Sequence, residues 1–387
     1  MKFNSYKLQD VCCFIDYRGK TPTKTKSGVP LITAKIIKNG VIMTPKEFIA
    51  EENYDEWMRR GIPQKGDIVF TTEAPLGEVA EIKTDEKLAF AQRVIIMEPK
   101  REYLNNHYFL YALQDKKLKN CIATRASGTT VIGIKSTELK KIIIDLPPIQ
   151  IQEKIADILY LLDEKMAINI AVNDNLQEQA FALFEQLMLD AGDSKCLVTE
   201  IAYINPKRPL SKNQVARCID MSQLSTTGSF PSGWEMKSFN GGMRFTNGDT
   251  ILARITPCLE NGKTAYINFL DDKEVAFGST EYIVLAPKEG VPPEYLYCLA
   301  RYPAFVDYAI KNMNGSSGRQ RVSADTIGQF VINCPNEDDL IDFGKIVSTL
   351  FMKMRSNSLE NLRLASLRDA LLPKLMSGEI DVSNIEF

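Results

Sequence analysis

Side chains able to act as nucleophiles, general bases or metal ligands are sparse in this chain of 387 residues. His107 is the only histidine, so a histidine triad or a histidine metal site has one possible donor. Eight cysteines stand at 12, 13, 121, 196, 218, 258, 298 and 334, and no two have the C-x-x-C spacing of a zinc site. We interpret the cysteines as reduced packing residues and His107 as a structural residue in a helix over 105–113.

Two Gly-Lys-Thr triplets resemble the end of a phosphate-binding loop, but neither has its first glycine. The motif G-x-x-x-x-G-K-[ST] would need glycine where Pro257 precedes Gly262-Lys263-Thr264, and where Phe14 precedes Gly19-Lys20-Thr21. The sequence therefore predicts no nucleotide site of this kind.

One short pattern is typical of metal-dependent nucleases. Asp67 with Glu81 and Lys83 could hold Mg²⁺ beside a lysine. The pattern is common by chance, and its repeated counterpart keeps Asp249 without the same spacing to the following carboxylate and lysine. We predict that the chain is not an enzyme and binds no metal.

Polar and cationic side chains occur in turns, where they could reach base edges and phosphates. Arginine can donate a fork to guanine, glutamine can pair with adenine, and hydroxyls suit phosphate. For any single arginine, a solvated surface role is the alternative. The candidate DNA-binding residues are Arg18, Lys20, Thr71, Thr72, Arg93, Arg125, Ser127, Thr129, Thr130, Arg208, Arg254, Thr280, Ser317, Arg319, Gln320 and Arg321.

An internal duplication places these residues on two similar frameworks. Each copy contains Gly-Asp before an apolar strand, at Gly66-Asp67 and Gly248-Asp249, then a Pro/Gly-rich turn and a second strand. The strand from Phe90 is echoed by the one from Phe277. A Tyr-Leu helix, a Ser-Gly loop, an apolar strand and a proline complete each copy. Two copies that share a framework but carry different polar side chains are the pattern expected of two domains that each recognise a different DNA sequence.

Two long amphipathic helices follow the lobes at an offset of 188 residues. Their apolar positions step alternately by four and three, which is the seam of a coiled coil. An amphipathic helix lying on its own lobe is the alternative. The first seam is Ile155, Leu159, Leu162, Met166, Asn169, Asn173, Leu176, Ala180, Leu183 and Leu187; the second is Phe343, Val347, Leu350, Met354, Asn357, Asn361, Leu364, Arg368, Leu371 and Leu375.

Two asparagines occupy matching places in each seam: Asn169, Asn173, Asn357 and Asn361. A buried amide fixes the register of a coiled coil because a slipped pairing leaves it without a hydrogen-bond partner. We predict that the two helices pair antiparallel, and that replacing Asn169 and Asn357 by leucine raises thermal stability while disturbing the spacing of the DNA half-sites. Pro373 should kink or end the second helix near Gly378.

The predicted fold class is α+β, with two tandem mixed α/β domains separated by long helices that form an antiparallel coiled coil. The expected segments are a first domain over 1–146, a first helix over 147–192, a second domain over 193–335, and a second helix with a C-terminal tail over 336–387. At 1.5 Å per residue the first helix should be about 60 Å long, which corresponds to at most some 17 base pairs.

Charge alternates along the chain although the net charge is −2. Basic residues exceed acidic ones by six over 1–147 and by two over 195–336, whereas acidic residues exceed basic ones by seven over 148–194 and by three over 337–387. Basic lobes could face phosphate while acidic helices face another partner, and chance variation is the alternative. With no long apolar run and no N-terminal apolar leader, a cytoplasmic location without membrane contact is expected.

Several runs resemble the specificity subunit of type I restriction-modification enzymes over almost the whole chain. They are Gly66-Asp67-Ile68-Val69, Ser127-Gly128-Thr129-Thr130, the Leu146-Pro147-Pro148 helix entry through Ala156, the run Asn247–Lys263 that contains Ala-Arg-Ile-Thr-Pro-Cys-Leu-Glu-Asn-Gly-Lys, and Leu372–Ile380. The helix entry and the long run are the most specific to that family.

The resemblance implies two target-recognition domains, each reading one half of a split DNA site, with the coiled coil as spacer. It also implies two DNA adenine methyltransferase subunits that dock on this chain, and restriction subunits that join them. S-adenosylmethionine, ATP and Mg²⁺ would then belong to those partners, and this chain would bind no cofactor.

Two other classes of protein remain open at this stage. A coiled-coil adaptor that binds other proteins predicts little salt-dependent affinity for DNA. A metal-dependent nuclease predicts Mg²⁺-dependent cleavage that Glu81→Ala abolishes. We further expect the chain alone to bind DNA modestly and to gain specificity when methyltransferase subunits clamp the duplex.

Overall fold

A computed structural model of the chain describes residues 2–17, 21–38, 40–316 and 318–385. Two compact units divide the chain, residues 1–164 with 365–387 and residues 165–364. Each unit contains one sheet-rich lobe together with a part of each long helix.

The first unit begins with the N-terminal lobe, and its last helix continues into the second unit. Its strands are β1 (Asn4–Lys7), β2 (Cys12–Asp16), β3 (Val29–Ile32), β4 (Ile37–Lys38), β5 (Val41–Ile42), β6 (Phe48–Ile49), β7 (Ile68–Thr72), β8 (Leu76–Glu81), β9 (Ala89–Phe90), β10 (Val94–Pro99) and β11 (Ile143–Leu146). Its helices are α1 (Leu8–Val11), α2 (Tyr54–Trp57), α3 (Asn106–Gln114), α4 (Lys116–Thr124), α5 (Ser136–Leu139) and the long α6 (Ile149–Asp190).

A four-stranded antiparallel sheet of order β2-β10-β7-β8 forms the centre of this lobe. Nearly all consecutive residues of its strands β7 and β10 are buried. Since alternate residues point to opposite sides of a sheet, both faces of these strands are covered. Phe70 packs into the cluster that contains α3 and part of α6, whereas Val69 packs into the cluster around β3. The smaller sheets are β6-β3-β9, β1-β11 and β4-β5.

The second lobe repeats this design. Its strands are β12 (Lys195–Leu197), β13 (Ala202–Ile204), β14 (Val215–Ile219), β15 (Glu235–Ser238), β16 (Arg244–Phe245), β17 (Thr250–Ala253), β18 (Thr264–Tyr266), β19 (Ala276–Gly278), β20 (Tyr282–Pro287) and β21 (Val331–Asn333). Its helices are α7 (Val198–Ile201), α8 (Pro293–Arg301), α9 (Pro303–Lys311), α10 (Ala324–Gly328) and the long α11 (Glu337–Ser377).

The central sheet of the second lobe has the order β13-β20-β17-β18, which corresponds strand for strand to the sheet of the first lobe. Leu252 and Ile251, neighbours on β17, again face two different clusters. The predicted α+β class with duplicated lobes and long helices is therefore confirmed. The two-residue strand pair β4-β5 has no counterpart in the described part of the second lobe.

One detail of the sequence alignment between the copies is out of register by one residue. The backbone N–H of Thr72 donates to the carbonyl of Arg93 at 2.9 Å, and that of Arg254 donates to the carbonyl of Glu281 at 3.0 Å. Arg93 therefore corresponds to Glu281, and Phe90 corresponds to Gly278 rather than to Phe277. Sequence similarity at the aromatic residue had suggested the wrong pairing.

The seam predicted along α6 and α11 is confirmed, since each of its positions is buried or half-buried. In the second unit, the amide of Asn169 donates to the side-chain oxygen of Asn361 at 2.9 Å, and the amide of Asn357 donates to that of Asn173 at 2.9 Å. The lower-numbered residue of α6 meets the higher-numbered residue of α11, so the helices run antiparallel. The lobe-packing alternative also holds in part, because Ile155 lies in the core of the first lobe.

The asparagine contacts change the expected result of replacing Asn169 and Asn357 by leucine. These two residues do not pair with each other: Asn169 donates to Asn361 and Glu360, whereas Asn357 donates to Asn173. The double substitution would leave partly buried amide oxygens without their donors, at a cost of about 1–3 kcal/mol each. The structure thus favours a loss of stability over the gain that the sequence suggested.

Pro373 lies inside α11 without ending it, and the helix continues to Ser377. Gly378 then adopts a φ of 76°, the left-handed conformation with which glycine commonly ends a helix. The segment that follows stays on the first unit, where Val382 is buried and the Lys154 amine donates to the carbonyl of Ser383.

His107, the single histidine, packs against neighbouring side chains of the first lobe and of α6. The Nε2 of His107 is 3.2 Å from Oε1 of Glu81, and its ring stacks on Tyr160 with centroids 4.0 Å apart. All eight cysteines are free thiols, four of them buried. Within the described residues no helix combines the length and apolarity needed to cross a membrane.

Candidate nucleic-acid interface

Three of the polar segments singled out in the first lobe meet at one end of its central sheet. The turn after β7 is bonded to the segment before β10 through Thr72 and Arg93, as described above. The N–H of Ile134 donates to the carbonyl of Thr72 at 3.0 Å, and Gly133 bridges to Glu73. Backbone hydrogen bonds therefore fix the three loops 72–75, 91–93 and 125–134 to one another.

The second lobe builds the same junction. Besides the bond from Arg254 to Glu281, the N–H of Val322 donates to the carbonyl of Arg254 at 3.0 Å. The N–H of Thr256 donates to the carbonyl of Gln320 at 3.0 Å. Loops 254–257 and 279–281, with the described residues 314–316 and 318–322, thus occupy the places of the three loops in the first lobe. We call each set of loops the three-loop site of its lobe.

An open cavity of about 350 Å³ marks the three-loop site of the first lobe. Glu73, Arg93 and Ser127, which come from the three different loops, all contribute to its wall. Lys135 lies at its margin and was absent from the sequence-based candidates. The cavity therefore combines hydrogen-bond donors, acceptors and positive charge in one concave surface.

Ion pairs organise the arginines of the first lobe. The Nε of Arg93 is 3.0 Å from Oε1 of Glu73, and Arg125 is 3.3 Å from Glu138. Hydrogen bonds from Lys141 and from Arg125 lower the pKa of Glu138. Gly133 permits the close approach of Glu73, since a Cβ at residue 133 would lie 3.0 Å from the Cβ of Glu73.

In the second lobe, Arg321 replaces Gly133 and supplies the positive charge. Its Nε lies 2.9 and 3.0 Å from the two carboxylate oxygens of Glu281, and its Nη2 lies 2.7 Å from Oε1. These bonds from Arg321 lower the pKa of Glu281 below its usual range. Arg254 is close enough to add to that effect, and among the described residues its buried Nε has no hydrogen-bond acceptor.

Most sequence-based candidates lie in these loops, and most of those have accessible side chains. Arg321, Gln320 and Arg254 are half-buried. The exposed candidates in the three-loop sites are Arg93, Arg125, Ser127, Thr129, Thr130, Thr280 and Arg319.

Three candidates are placed differently from what the sequence suggested. Thr71 is fully buried, and its hydroxyl accepts a hydrogen bond from the N–H of Glu78, so it has no surface through which to contact DNA. Thr72 is also buried, with its hydroxyl donating to the carbonyl of Arg93. Arg208 pairs at 2.7 Å with Asp249, which precedes β17 and thus lies at the end of that strand opposite to Arg254. Alternation and turn chemistry did not reveal these inward contacts.

The candidates Arg18, Lys20 and Ser317 fall outside the described residues.

The nuclease-like pattern does not assemble a metal site in the described part of the chain. Glu81 contacts His107, while Asp67 accepts the N–H of Gln64 at 2.8 Å. Burial raises the pKa of Asp67 to about 6. No group of three or more histidine, cysteine, aspartate or glutamate side chains converges as metal ligands among the residues described.

The carboxylates of the three-loop sites were missed by the sequence reasoning, which sought donors for an anionic duplex. Glu73 and Glu281 directly follow the candidates Thr72 and Thr280 in the sequence but were not singled out. Their signal in the sequence was weak, because the arginine that each one binds lies 20 or more residues away along the chain.

Comparisons with known proteins find similar specificity subunits of type I restriction enzymes. Residues 1–178 match the family model described as the type I restriction modification DNA specificity domain. The HindI specificity subunit of Haemophilus influenzae is 22% identical over 82% of this chain and 87% of its own length. The MjaIX specificity subunit of Methanocaldococcus jannaschii is 24% identical over 95% of this chain and 91% of its own length.

The chain is thus similar to type I restriction-modification specificity subunits over most of its length, and its first 178 residues match their family model. A solved structure agrees in fold: the S subunit of the type I restriction-modification system from M. genitalium superimposes with a TM-score of 0.58 at 16% identity, covering 97% of this chain and 96% of that one. The resemblance seen in the sequence is thereby confirmed.

Proposed function

We propose that this chain is a specificity subunit that recognises DNA sequence, that each lobe reads one half of a bipartite site through its three-loop site, and that it performs no catalysis. The observation that carries the proposal is the double occurrence of one loop junction with different side chains. Where the first lobe has Glu73, Arg93 and Gly133, the second has Ile255, Glu281 and Arg321. A common framework with different donors and acceptors suits two different base sequences.

The long helices would contact other proteins and set the spacing of the half-sites. Their acidic composition disfavours contact with phosphate. Aliphatic side chains nevertheless remain exposed on them, including Ile168 at 57% and Met352 at 59%. Such exposure supports docking of protein partners, which we propose to be two DNA adenine methyltransferase subunits, with restriction subunits in the larger complex. S-adenosylmethionine, ATP and Mg²⁺ would bind to those partners, in the cytoplasm.

Methylome sequencing tests the proposal. A host lacking other adenine methyltransferases would express this chain with its neighbouring methyltransferase subunit, and modified adenines would be mapped genome-wide. Three forms would be compared: the wild type, a variant with Arg319→Ala and Gln320→Ala in the second lobe, and a matched surface variant, Lys311→Ala.

We expect a split methyladenine motif in the wild type and in Lys311→Ala. In the Arg319/Gln320 variant only one half of the motif should relax or disappear. Absence of any motif dependent on this chain would refute the proposal in favour of a protein adaptor. Equal loss of both halves would refute the assignment of one half-site to each lobe.

A further inference from the structure

In each lobe an arginine of the three-loop site forms an ion pair with a glutamate from a different loop. Arg93, before β10, is held by Glu73 from the turn after β7. Arg321, before α10, is held by Glu281 from the segment before β20. Arg93 and Glu281 occupy equivalent positions, so this position is positively charged in the first lobe and negatively charged in the second. The pairing thus recurs although no residue of it is retained between the copies.

The glutamates leave part of each guanidinium available. Among the described residues the two terminal nitrogens of Arg93 make no hydrogen bond, and this side chain is 46% exposed. Arg321 is 39% exposed and also donates from Nη1 to the carbonyl of Arg319 at 3.0 Å. A guanidinium has five N–H groups, so Arg321 retains one on each terminal nitrogen. Each arginine can therefore still donate two hydrogen bonds.

Two parallel donors match the O6 and N7 acceptors of guanine in the major groove. A carboxylate that fixes the Nε side orients the fork before binding and reduces the side-chain entropy lost on contact. The same carboxylate neutralises the arginine, which weakens its attraction to phosphates of any sequence. The geometry thus favours a base edge over the DNA backbone as the partner of these two arginines.

We propose, on the basis of the function proposed above, that Glu73 and Glu281 are positioning residues that orient Arg93 and Arg321 toward one guanine in each half-site. The first lobe and the second would each require a G·C pair at one defined position. The glutamates act through the arginines and need not touch DNA themselves.

The test uses the full chain in complex with its methyltransferase subunit, after the methylome has defined both half-sites. Affinities are measured for a duplex bearing the site, for duplexes in which each G·C pair is replaced in turn, and for an unrelated duplex. Glu281→Gln is compared with Arg321→Lys and with a matched control, Glu289→Gln, an exposed glutamate of the same lobe. Thermal unfolding of each variant checks folding.

The wild type should prefer guanine by about tenfold or more at one position of the half-site read by the second lobe. Glu281→Gln and Arg321→Lys should each reduce that preference to about twofold at that position alone. Glu281→Gln should also bind the unrelated duplex as well as the wild type or more tightly, because one negative charge is lost. Glu289→Gln should match the wild type, and Glu73→Gln should alter one position of the other half-site.

Unchanged base preference in Glu281→Gln would overturn the inference. So would a uniform loss of preference across both half-sites accompanied by a lower melting temperature, which would show a purely structural role. A wild type that yields no split motif would instead refute the proposed function before any variant is compared.

Discussion

Equivalent positions of the two units carry opposite chemistry along the paired helices. In the first unit the Tyr111 hydroxyl donates to Asp163 at 2.7 Å, and Asp163 pairs with Arg368 at 2.8 Å. At the offset of 188 residues between the long helices, Asp163 and Arg368 correspond to Phe351 and Ala180. The helices α3 and α8 are offset by 187 residues, so Tyr111 corresponds to Cys298. These three residues of the second unit are all buried in one apolar cluster. A polar triad and an apolar contact therefore occupy the same place in two copies of one fold.

The lobes show the same freedom in their cores. In the first lobe the aromatic ring of Phe90 and the smaller Val94 belong to the same buried cluster. In the second lobe Gly278 leaves room for the ring of Tyr282, whose hydroxyl donates to the carbonyl of Ile219. Large and small residues have exchanged places while the strand order stayed the same. The backbone framework thus tolerates different contents provided that neighbouring positions change together.

The largest effect on stability is expected at Gly278, because the second lobe needs a small residue there to make room for the ring of Tyr282. A Cβ there would lie 2.4 Å from the carbonyl oxygen of Ile219 and 2.5 Å from the ring of Tyr282. We expect Gly278→Ala to lower the free energy of unfolding by about 3 kcal/mol or more, as measured by urea denaturation. Adding Tyr282→Val should not restore stability, because the clash with the backbone of Ile219 remains and a buried ring with its hydrogen bond is lost.

Gly228→Ala is the matched control in the same lobe. Its added Cβ would meet only the hydroxyl of Ser225, at 3.7 Å, so its effect should stay below about 1 kcal/mol. If Gly278→Ala were equally mild, complementary exchange between the copies would not describe this core.

A smaller effect is expected from the polar triad. Arg368→Ala should lower the free energy of unfolding by about 1–2 kcal/mol, because half-buried Asp163 loses its cation while keeping the Tyr111 hydroxyl. Arg363→Ala, an exposed arginine on the same helix, serves as control and should change stability little. Chemical denaturation measures both.

Transplanting the second unit's contact sharpens this comparison. The triple variant Tyr111→Cys, Asp163→Phe and Arg368→Ala should be at least as stable as Arg368→Ala alone, because it removes every member of the polar set together. A triple variant less stable than the single one would show that the two ends of the helix pair are not interchangeable.

Periodicity and repetition made the framework predictable from the sequence. The heptad seam identified both long helices, because a stripe that must be buried over ten positions leaves a strong pattern. The Gly-Asp turns located β7 and β17. The buried seam asparagines were also identified, although their partners were not, since a pattern fixes which face is buried but not which amide meets which carbonyl.

The inward roles of Thr71 and Arg208 could not be predicted in the same way. A threonine in a turn-like segment has the same sequence signature whether its hydroxyl faces water or, as here, a backbone N–H. Arg208 is separated from Asp249 by 41 residues, and only the fold brings them together. Ion pairs across loops depend on three-dimensional closure. Many arginines and hydroxyl side chains of the three-loop sites were therefore predictable, whereas their glutamates and their internal pairing were not.

The smallest predicted difference concerns the two Gly-Asp turns. Burial raises the pKa of Asp67 from 3.8 to about 6, opposed by the N–H of Gln64. Because the folded-state pKa exceeds the unfolded value, this group's contribution to stability is complete below pH 3.8 and is lost as pH rises through about 6. Asp67→Asn should therefore flatten the fall in unfolding free energy between about pH 4 and 6, by about 1 kcal/mol or more.

Asp249→Asn provides the comparison that gives this result its meaning. Burial raises the pKa of Asp249 as well, although the N–H of Thr246 and the paired Arg208 partly oppose that rise. Removing this carboxylate leaves a half-buried arginine without its partner, so Asp249→Asn should destabilise the protein above pH 6, where Asp67→Asn does not. Unfolding measured from pH 4 to 8 distinguishes the two. If the unfolding free energies of both variants changed with pH in the same way, the ion pair of Asp249 with Arg208 would not distinguish the second Gly-Asp turn from the first.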